Sequence, residues 1–353
     1  MDELVQKAIQ QSIVLKKLIE LTPWKVDEPW PQAWYSWDSF AEIWQPIHEL
    51  PAYDSAPTNA RGSSPHIMTA ISVYSWNIDF MLPCAEARMS AALAHLEELI
   101  GQLPQTTAVI MNLQEVTPSD LITISQEPWI RERFFLTDLD SSAWGPRMYG
   151  TTMLVDRRLS VKSCFRAHYA ATQMERDALF VDITASTSKG KIRIGNSHLE
   201  SLPLDPSLRP TQVRTAAKYL HEDGLAGAVL AGDFNAIQPF DSSLNSDNNL
   251  KDAYLELGGQ GFESDSEEGA TWGRQAHPVP RERFGLSRMD KAYFCGNGIK
   301  LRGFERIGAD VVVDGEGKNE QKERLLALGF EKAWVTDHLG IKVTFGIVQD
   351  ARL

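Results

Sequence analysis

From Ile71 onward the chain alternates short apolar runs with amphipathic stretches. ISVYSWNI, AVIMNL, TTMLVD, ALFVDI, KIRIGNSHLE, GAVLAGDFN, RMDKAYF and LGIKVTF are rich in β-branched and aromatic residues, which predicts strands. AEARMSAALAHLEELIG carries apolar residues at helical spacing and stops at Gly101, predicting a helix with glycine just past its end. SLRPTQVRTAAKYLHE predicts another. So many strands with so few helices exceed what a simple doubly wound sheet needs. The expected class is α/β, with two mixed β-sheets packed face to face and flanked by helices.

Residues 1–65 have a different texture. QKAIQQSIVLKKLIEL has helical spacing, and Trp24, Trp30, Trp34, Trp37 and Trp44 follow it. The expectation is a helical, Trp-rich extension closed by a Pro/Ser/Gly-rich linker over 56–66, ahead of a domain spanning 66–353. Without interleaved basic residues, these tryptophans are expected to dock on the domain or a protein partner rather than stack on bases. ESDSEEG (263–269) reads as an exposed acidic loop.

The most informative positions lie where apolar runs stop. ISVYSW ends in Asn77, AVIMNLQ in Glu115, KIRIGNS in His198, and AVLAG in Asp233 followed by Asn235. Alternation along KIRIGNSHLE puts Ile192, Ile194, Asn196, His198 and Glu200 on one face, so a face that starts apolar ends polar. Asp290 in SRMDKAYF and the Asp337–His338 pair in VTDHLGI also sit against strands. A buried carboxylate is costly unless paired or metal-bound, so several such strand ends point to one shared rim. Each has a plainer alternative: Asn77 and Asp233 as turn formers, Glu115 as cap of a helix starting at Pro118, His338 as a satisfied histidine. Their joint occurrence favours the rim. Carboxylates, amides and histidines, without a serine elbow or cysteine pair, suit metal-assisted phosphoester hydrolysis with a hard cation.

Composition narrows the classes. At 353 residues, 43% hydrophobic and 23% charged, the chain is an ordinary globular protein. The net charge of −12 argues against a general nucleic-acid coat, so a phosphate partner must meet a local patch or metal ions. No apolar run approaches the roughly 20 residues that cross a bilayer, and MDELVQKAIQQ is no secretory signal. Cys84, Cys164 and Cys295 are widely spaced and fit a reducing compartment, so an intracellular, non-secreted protein without membrane partners is expected.

In order, SWNID, LQEV, SHLES, GDFN, RMD and TDH resemble the signature series of the endonuclease/exonuclease/phosphatase superfamily, over roughly residues 70–346. The resemblance implies a four-layer α/β sandwich. Within the superfamily, SWNID, SHLES and the Ala270–Trp272 element are most like the tyrosyl-DNA phosphodiesterase 2 group, which releases tyrosine from 5′-phosphate ends of DNA.

Carried onto this sequence, the resemblance makes Glu115 the main Mg2+ ligand (Mn2+ an alternative), with Asn77 beside it in the metal and phosphate site and Asp337 in the metal shell. Asp233 would activate or orient the attacking water and Asn235 hold the phosphate. His338 would bond the phosphoryl oxygens, Asp290 would orient His338, and His198 would face the phosphate from the other side. A phenol leaves more easily than a sugar alkoxide because its pKa is about 10. Trp272 is either a stacking aromatic at the DNA 5′ end or a core residue. Arg288, with Arg281 and Arg283, forms either a local basic patch or a solvated loop, and Arg209 and Arg214 are similar cases. The implied substrate is DNA 5′ ends bearing tyrosyl or protein adducts, with DNA repair in the nucleus, or otherwise the cytoplasm, as the setting. An RNA, nucleotide or small-molecule phosphoester hydrolase and a catalytically silent scaffold are the alternatives. Departures are Phe234 for the usual threonine, Lys291 for arginine, TDH for SDH, a charged stretch between Gly308 and Trp334, and no ubiquitin-binding pattern in 1–65.

Overall fold

Two sheets stack with their apolar faces together. The computed structural model describes residues 22–48, 67–145, 148–185, 188, 190–260 and 267–348. Its strands are β1 (Pro29–Pro31), β2 (Trp34–Asp38), β3 (Ile43–Ile47), β4 (Ala70–Asn77), β5 (Thr107–Val116), β6 (Phe134–Leu136), β7 (Gly150–Asp156), β8 (Ser160–His168), β9 (Asp177–Thr184), β10 (Lys191–His198), β11 (Leu225–Asp233), β12 (Lys251–Asp252), β13 (Asp290–Cys295), β14 (Ile299–Ile307) and β15 (Gly340–Ile347). One sheet has the order β1-β8-β9-β10-β11-β13-β12, the other β14-β15-β4-β5-β7-β6-β2-β3.

Period-2 alternation explains the layering. Val73, Ile110, Val155, Val181, Ile194, Val229 and Val343 fill the space between the sheets. The opposite face of the second sheet, with Tyr74, Trp76, Val109 and Met111, packs under helices α1 (Ala85–Gly101), α2 (Pro118–Gln126) and α3 (Pro128–Arg133). The outer face of the first sheet, with Phe180, Leu230 and Tyr293, packs under α4 (Arg209–Leu220). Shorter helices α5 (Ala253–Glu256), α6 (Pro278–Phe284) and α7 (Asn319–Leu326) decorate the loops. The result is the expected four layers, and all eight strands anticipated from the apolar runs are present.

Three local expectations change. Gly101 is the last helical residue, and Gln102 caps the helix in a right-handed conformation, so no left-handed glycine stop is used. The cap of α2 is Thr117, whose hydroxyl and Asp120 form a reciprocal capping box, leaving Glu115 free for other work. The helix expected at the amino terminus lies outside the described residues, as does the linker. The tryptophans are not on a helical appendage: Trp30 sits on β1, Trp34 and Trp37 on β2, and Trp44 on β3, strands that extend both sheets. Trp44 donates to Ser125 O and Arg131 stacks on Trp37, so this segment is built into the sandwich. The charged stretch after Gly308 contains helix α7. No helix among the described residues is long and apolar enough to cross a membrane.

Candidate active site

Register brings the polar strand ends to one edge. β10 and β11 run parallel with His198 opposite Asp233, and antiparallel β13 places Asp290 opposite Asp233 as well. On the other sheet, parallel β4 and β5 end together at Asn77 and Gln114, and antiparallel β15 begins just after His338 at the same end. A β-bulge between Leu113 and Val116 interrupts β5, and Glu115 within it has φ 57°. A bulge re-aims a side chain, here carrying Glu115 out of the ladder. Asn235 (φ 46°) and Asp79 (φ 58°) adopt the same uncommon backbone, which clusters at functional sites. The glycine of GDFN is required by contact: a Cβ on Gly232 would lie 1.8 Å from Ser197 O.

Asp233 is the hub and is buried. Its Oδ2 accepts from Asn77 Nδ2 at 2.9 Å and its Oδ1 from the backbone N–H of Asn235 at 2.8 Å. His198 Nε2 lies 3.3 Å and His338 Nε2 3.8 Å from Asp233 Oδ2. Burial alone would raise the Asp233 pKa, but His338, then His198 and the Asn235 N–H, outweigh it and hold the carboxyl below the usual carboxylate range. Asp233 is therefore an anion at neutral pH. Arg176, which can only donate, lies 2.7 Å from His198 Nδ1, fixing the His198 proton on Nε2. Burial and Arg176 both lower the His198 pKa, so this ring is neutral. Its Nε2–H has no aligned acceptor and is available to a ligand.

His338 is the opposite case. Its Nδ1 bonds Asp290 Oδ2 at 2.9 Å, while Nε2 points toward Asp233 and lies 3.9 Å from Asp337 Oδ1. Burial opposes ionisation, yet Asp290 and Asp233 raise the His338 pKa well above its ordinary value. The ring is an imidazolium held against a carboxylate. Burial pushes the Asp290 carboxyl up to about 6, with His338 opposing. Asp337 accepts from Trp272 Nε1 at 2.8 Å, and its pKa is raised by burial, with His338 opposing.

The donor set fits a divalent cation. Asp233, Asp290 and His338 present ligand atoms within 4.8 Å of one another. They make a poor cage, however, because a protonated His338 has no lone pair to offer. The better surplus lies beside them. Glu115 is anchored by Phe80 N–H on Oε2 and its Oε1 faces His198 at 3.8 Å. Asp79 is pushed up to about 8 by burial and then by Asp337 and Glu115. Carboxylates that cannot all ionise without a counter-charge are the chemistry a hard cation satisfies. Glu115 and Asp337 carry carboxylate oxygens that can serve as ligands. Asn77 faces Asp233 with its Nδ2 while its Oδ1 accepts from Asp79 N–H, so it positions Asp233 and keeps one oxygen lone pair for a ligand.

Two expected substrate residues are elsewhere. Arg209 is 1% exposed and spends its guanidinium on both oxygens of Asp241, Gln238 Oε1 and the carbonyls of Glu200 and Leu202. It is a structural clamp with no donor left for phosphate. Arg288 is held by both oxygens of Asp252 and stacks on Tyr254. Trp272 is 8% exposed and packs on Ala276 and Met289, so its core alternative prevails, with the added task of holding Asp337. Arg281 and Arg283 are exposed on α6.

Sequence reasoning missed Arg176, Tyr149, Phe80 and Arg88. Phe80 stacks on Tyr149 with ring centroids 3.8 Å apart, and Arg176 lies 5.6 Å from the Tyr149 ring. Arg88, buried on α1, donates to the carbonyls of Ile78, Asp79, Leu82, Pro83 and Val335, fixing the loop after β4. Only Arg88 left a trace in the sequence, as a charge on an otherwise apolar helical face.

The sequence between residues 74 and 338 matches the model of the Endonuclease/Exonuclease/phosphatase family. Among curated protein sequences none matches this chain. Among solved structures, D. rerio TDP2 complexed with a single-strand DNA product superposes with a TM-score of 0.57 at 19% identity, covering 78% of this chain and 98% of that one. Truncated Caenorhabditis elegans TDP2 gives 0.57 at 20% identity, over 80% and 100%. The human Nocturnin catalytic domain, with bound sulfate, gives 0.52 at 19%, over 79% and 94%. At these identities the likeness establishes the fold. With the family match and the rim of carboxylates and histidines, the conclusion is that this chain belongs to the endonuclease/exonuclease/phosphatase family and is a phosphoester hydrolase of a divalent-metal-dependent kind.

Proposed function

We propose that this protein is a Mg2+-dependent phosphodiesterase that removes tyrosyl or protein adducts from DNA 5′ ends, acting in DNA-end repair in the nucleus. The observation that carries the proposal is the close approach of an anionic Asp233 and a cationic His338, 3.8 Å apart. A fold shared with a TDP2 that holds single-strand DNA product supports the choice of polymer. A wall of Phe80, Tyr149 and Arg176 beside His198 suits an aromatic leaving group.

In this scheme Asp233, fixed by Asn77 and Asn235, accepts a hydrogen bond from the attacking water and aims it at phosphorus. Its low basicity makes it an orienting group: as the new P–O bond forms and the P–O bond to tyrosine breaks, the water's proton passes to solvent and on to the departing phenolate. His338, held by Asp290, donates Nε2–H to the phosphoryl oxygens as charge builds on them. His198 donates Nε2–H to the opposite side of the phosphate. Glu115 and Asp337 would hold Mg2+, which would supply Lewis-acid neutralisation of that charge. A tyrosyl phenolate departs without a dedicated acid because its pKa is about 10.

Release of tyrosine from a 5′-phosphotyrosyl oligonucleotide, compared with 3′-phosphotyrosyl, abasic, RNA and nucleotide substrates with and without Mg2+, tests the proposal. Selective 5′ release is the expected result. Cleavage of another phosphoester alone would move the protein to RNA, nucleotide or small-molecule hydrolysis, the second reading.

A further inference from the structure

Upstream of the family match, a short segment is built into the outer wall of the site. β1 pairs with β8, and Gln32 N–H donates to Cys164 O at 3.0 Å. Asp27, with φ 57°, is tied at three points. Its N–H donates to His168 O at 2.7 Å, its Oδ1 accepts from Ala170 N–H at 3.0 Å, and its carbonyl accepts from the Tyr219 hydroxyl at 2.8 Å. The Trp24 indole lies flat on the His168 imidazole, 4.0 Å between centroids and 14° between planes. Its far edge closes on Gly145, where an added Cβ would stand 3.2 Å from Trp24 Cζ2.

These two contacts reach two different loops. His168 opens the loop between β8 and β9, which delivers Arg176 to His198 and holds Glu200 through Thr172 and the Gln173 N–H. Gly145 follows the single turn Ser142–Trp144. A cleft of about 60 Å³ bordered by Trp24, Val26, Tyr169, Thr172 and Arg176 lies behind the first loop. The cleft leaves the Trp24–Asp27 segment touching the outer face of this loop through Trp24 and the two backbone bonds of Asp27.

We propose that Trp24–Asp27 is a positioning strut: Trp24, stacked on His168 and closing on Gly145, holds the loop that carries Arg176 at the wall of the active site. It rests on phosphoester hydrolysis at this site and is independent of the leaving group. The segment lies outside the span that carries the family's motifs, so the strut is a property of this chain's own amino-terminal residues.

The test uses the full chain with Trp24→Ala, Trp24→Phe, Arg176→Ala and the Trp24→Ala/Arg176→Ala double variant, assayed for kcat and KM. Hydrogen exchange is followed by mass spectrometry on the wild type and Trp24→Ala. Displacing a positioned group costs about ten- to a hundredfold, so Trp24→Ala is expected to lower kcat by that factor with KM little changed. Trp24→Phe should restore most of it, and Trp24→Ala should cost nothing further once Arg176 is gone. Exchange should accelerate in 142–145 and 169–176 while β10 and β11 stay protected. Wild-type kcat in Trp24→Ala, additive losses in the double variant, a fully active Arg176→Ala, or accelerated exchange across both sheets would each overturn the strut. A wild-type chain that cleaves no phosphoester would sink the proposed function, and the exchange pattern would still decide the strut.

Discussion

Arg209 and Asp233 are equally hidden, each 1% exposed, yet they live in opposite electrostatic worlds. Around Arg209 every guanidinium donor has an acceptor and Asp241 supplies a matching charge on both its oxygens. The Arg166 group is similar, closed by Asp138, Asp177 and Thr151. Around Asp233 the carboxylates Asp79, Glu115, Asp290 and Asp337 crowd together, Asp290 Oδ1 has no hydrogen-bond partner, and His198 Nε2–H points at nothing well aligned. A saturated buried charge is architecture. An unsaturated one is held ready for a ligand, because unpaired burial is costly and only something bound can relieve it.

The largest effect that would sharpen this contrast is Asp233→Asn or Glu115→Gln. Either should reduce turnover by about 10³-fold or more, with the circular dichroism of the wild type. Retained turnover in either would break the assigned mechanism. Arg209→Ala should do the reverse, costing about 3–5 kcal/mol of stability by stranding Asp241 while the remaining folded molecules keep their specific activity. Urea titration alongside single-turnover kinetics separates the two. A selective loss of DNA binding at unchanged stability would restore Arg209 as a substrate residue.

The surplus charge also has a pH signature. Asp79, Asp290 and His338 all have folded-state pKa values raised above the ordinary ones. At these three sites the folded, metal-free chain binds more protons than the unfolded chain between about pH 4 and 8, which outweighs the single opposing contribution of His198 up to its ordinary pKa, so stability should fall as pH rises through that window. Asp233, depressed, would contribute only below its ordinary range. In chelator, Tm should be higher at pH 5.5 than at pH 8, and Asp79→Asn should flatten the slope. Saturating Mg2+ should reverse it, since the cation and the protons compete. A Tm that climbs with pH in chelator would contradict the surplus.

The smallest effect expected is at α6. Arg281 and Arg283 are exposed, and Arg281 reaches Glu331 only at 4.0 Å. Replacing both with alanine should change stability by less than about 1 kcal/mol. A modest rise in KM for oligonucleotides with a shallower salt dependence would mark them as phosphate contacts. No change in either would leave them as solvated surface.

The strands legible in the sequence were those buried on both faces, where apolar runs are nearly continuous. β8 and β14 were not, because Lys162, Arg166, Lys300, Arg302 and Glu305 interrupt their patterns. β1–β3 were read as an appendage because proline, tryptophan and short length hide their pairing. Glu115, His198, Asp233, Asp290 and His338 were legible because each ends or starts an apolar run with a group that is costly to bury.

By itself the sequence determined the polar set and its order, since a carboxylate or imidazole at the mouth of a hydrophobic strand is anomalous wherever the strand ends up. Only the tertiary structure decided which charges meet. His338 finds Asp290 across 48 positions of sequence and Arg176 finds His198 across 22, whereas Arg209 is captured by Asp241. Burial and partnership are long-range properties. An arginine that closes a structural clamp and one that faces a phosphate carry the same guanidinium, and what separates them is the number of acceptors the folded chain places around it.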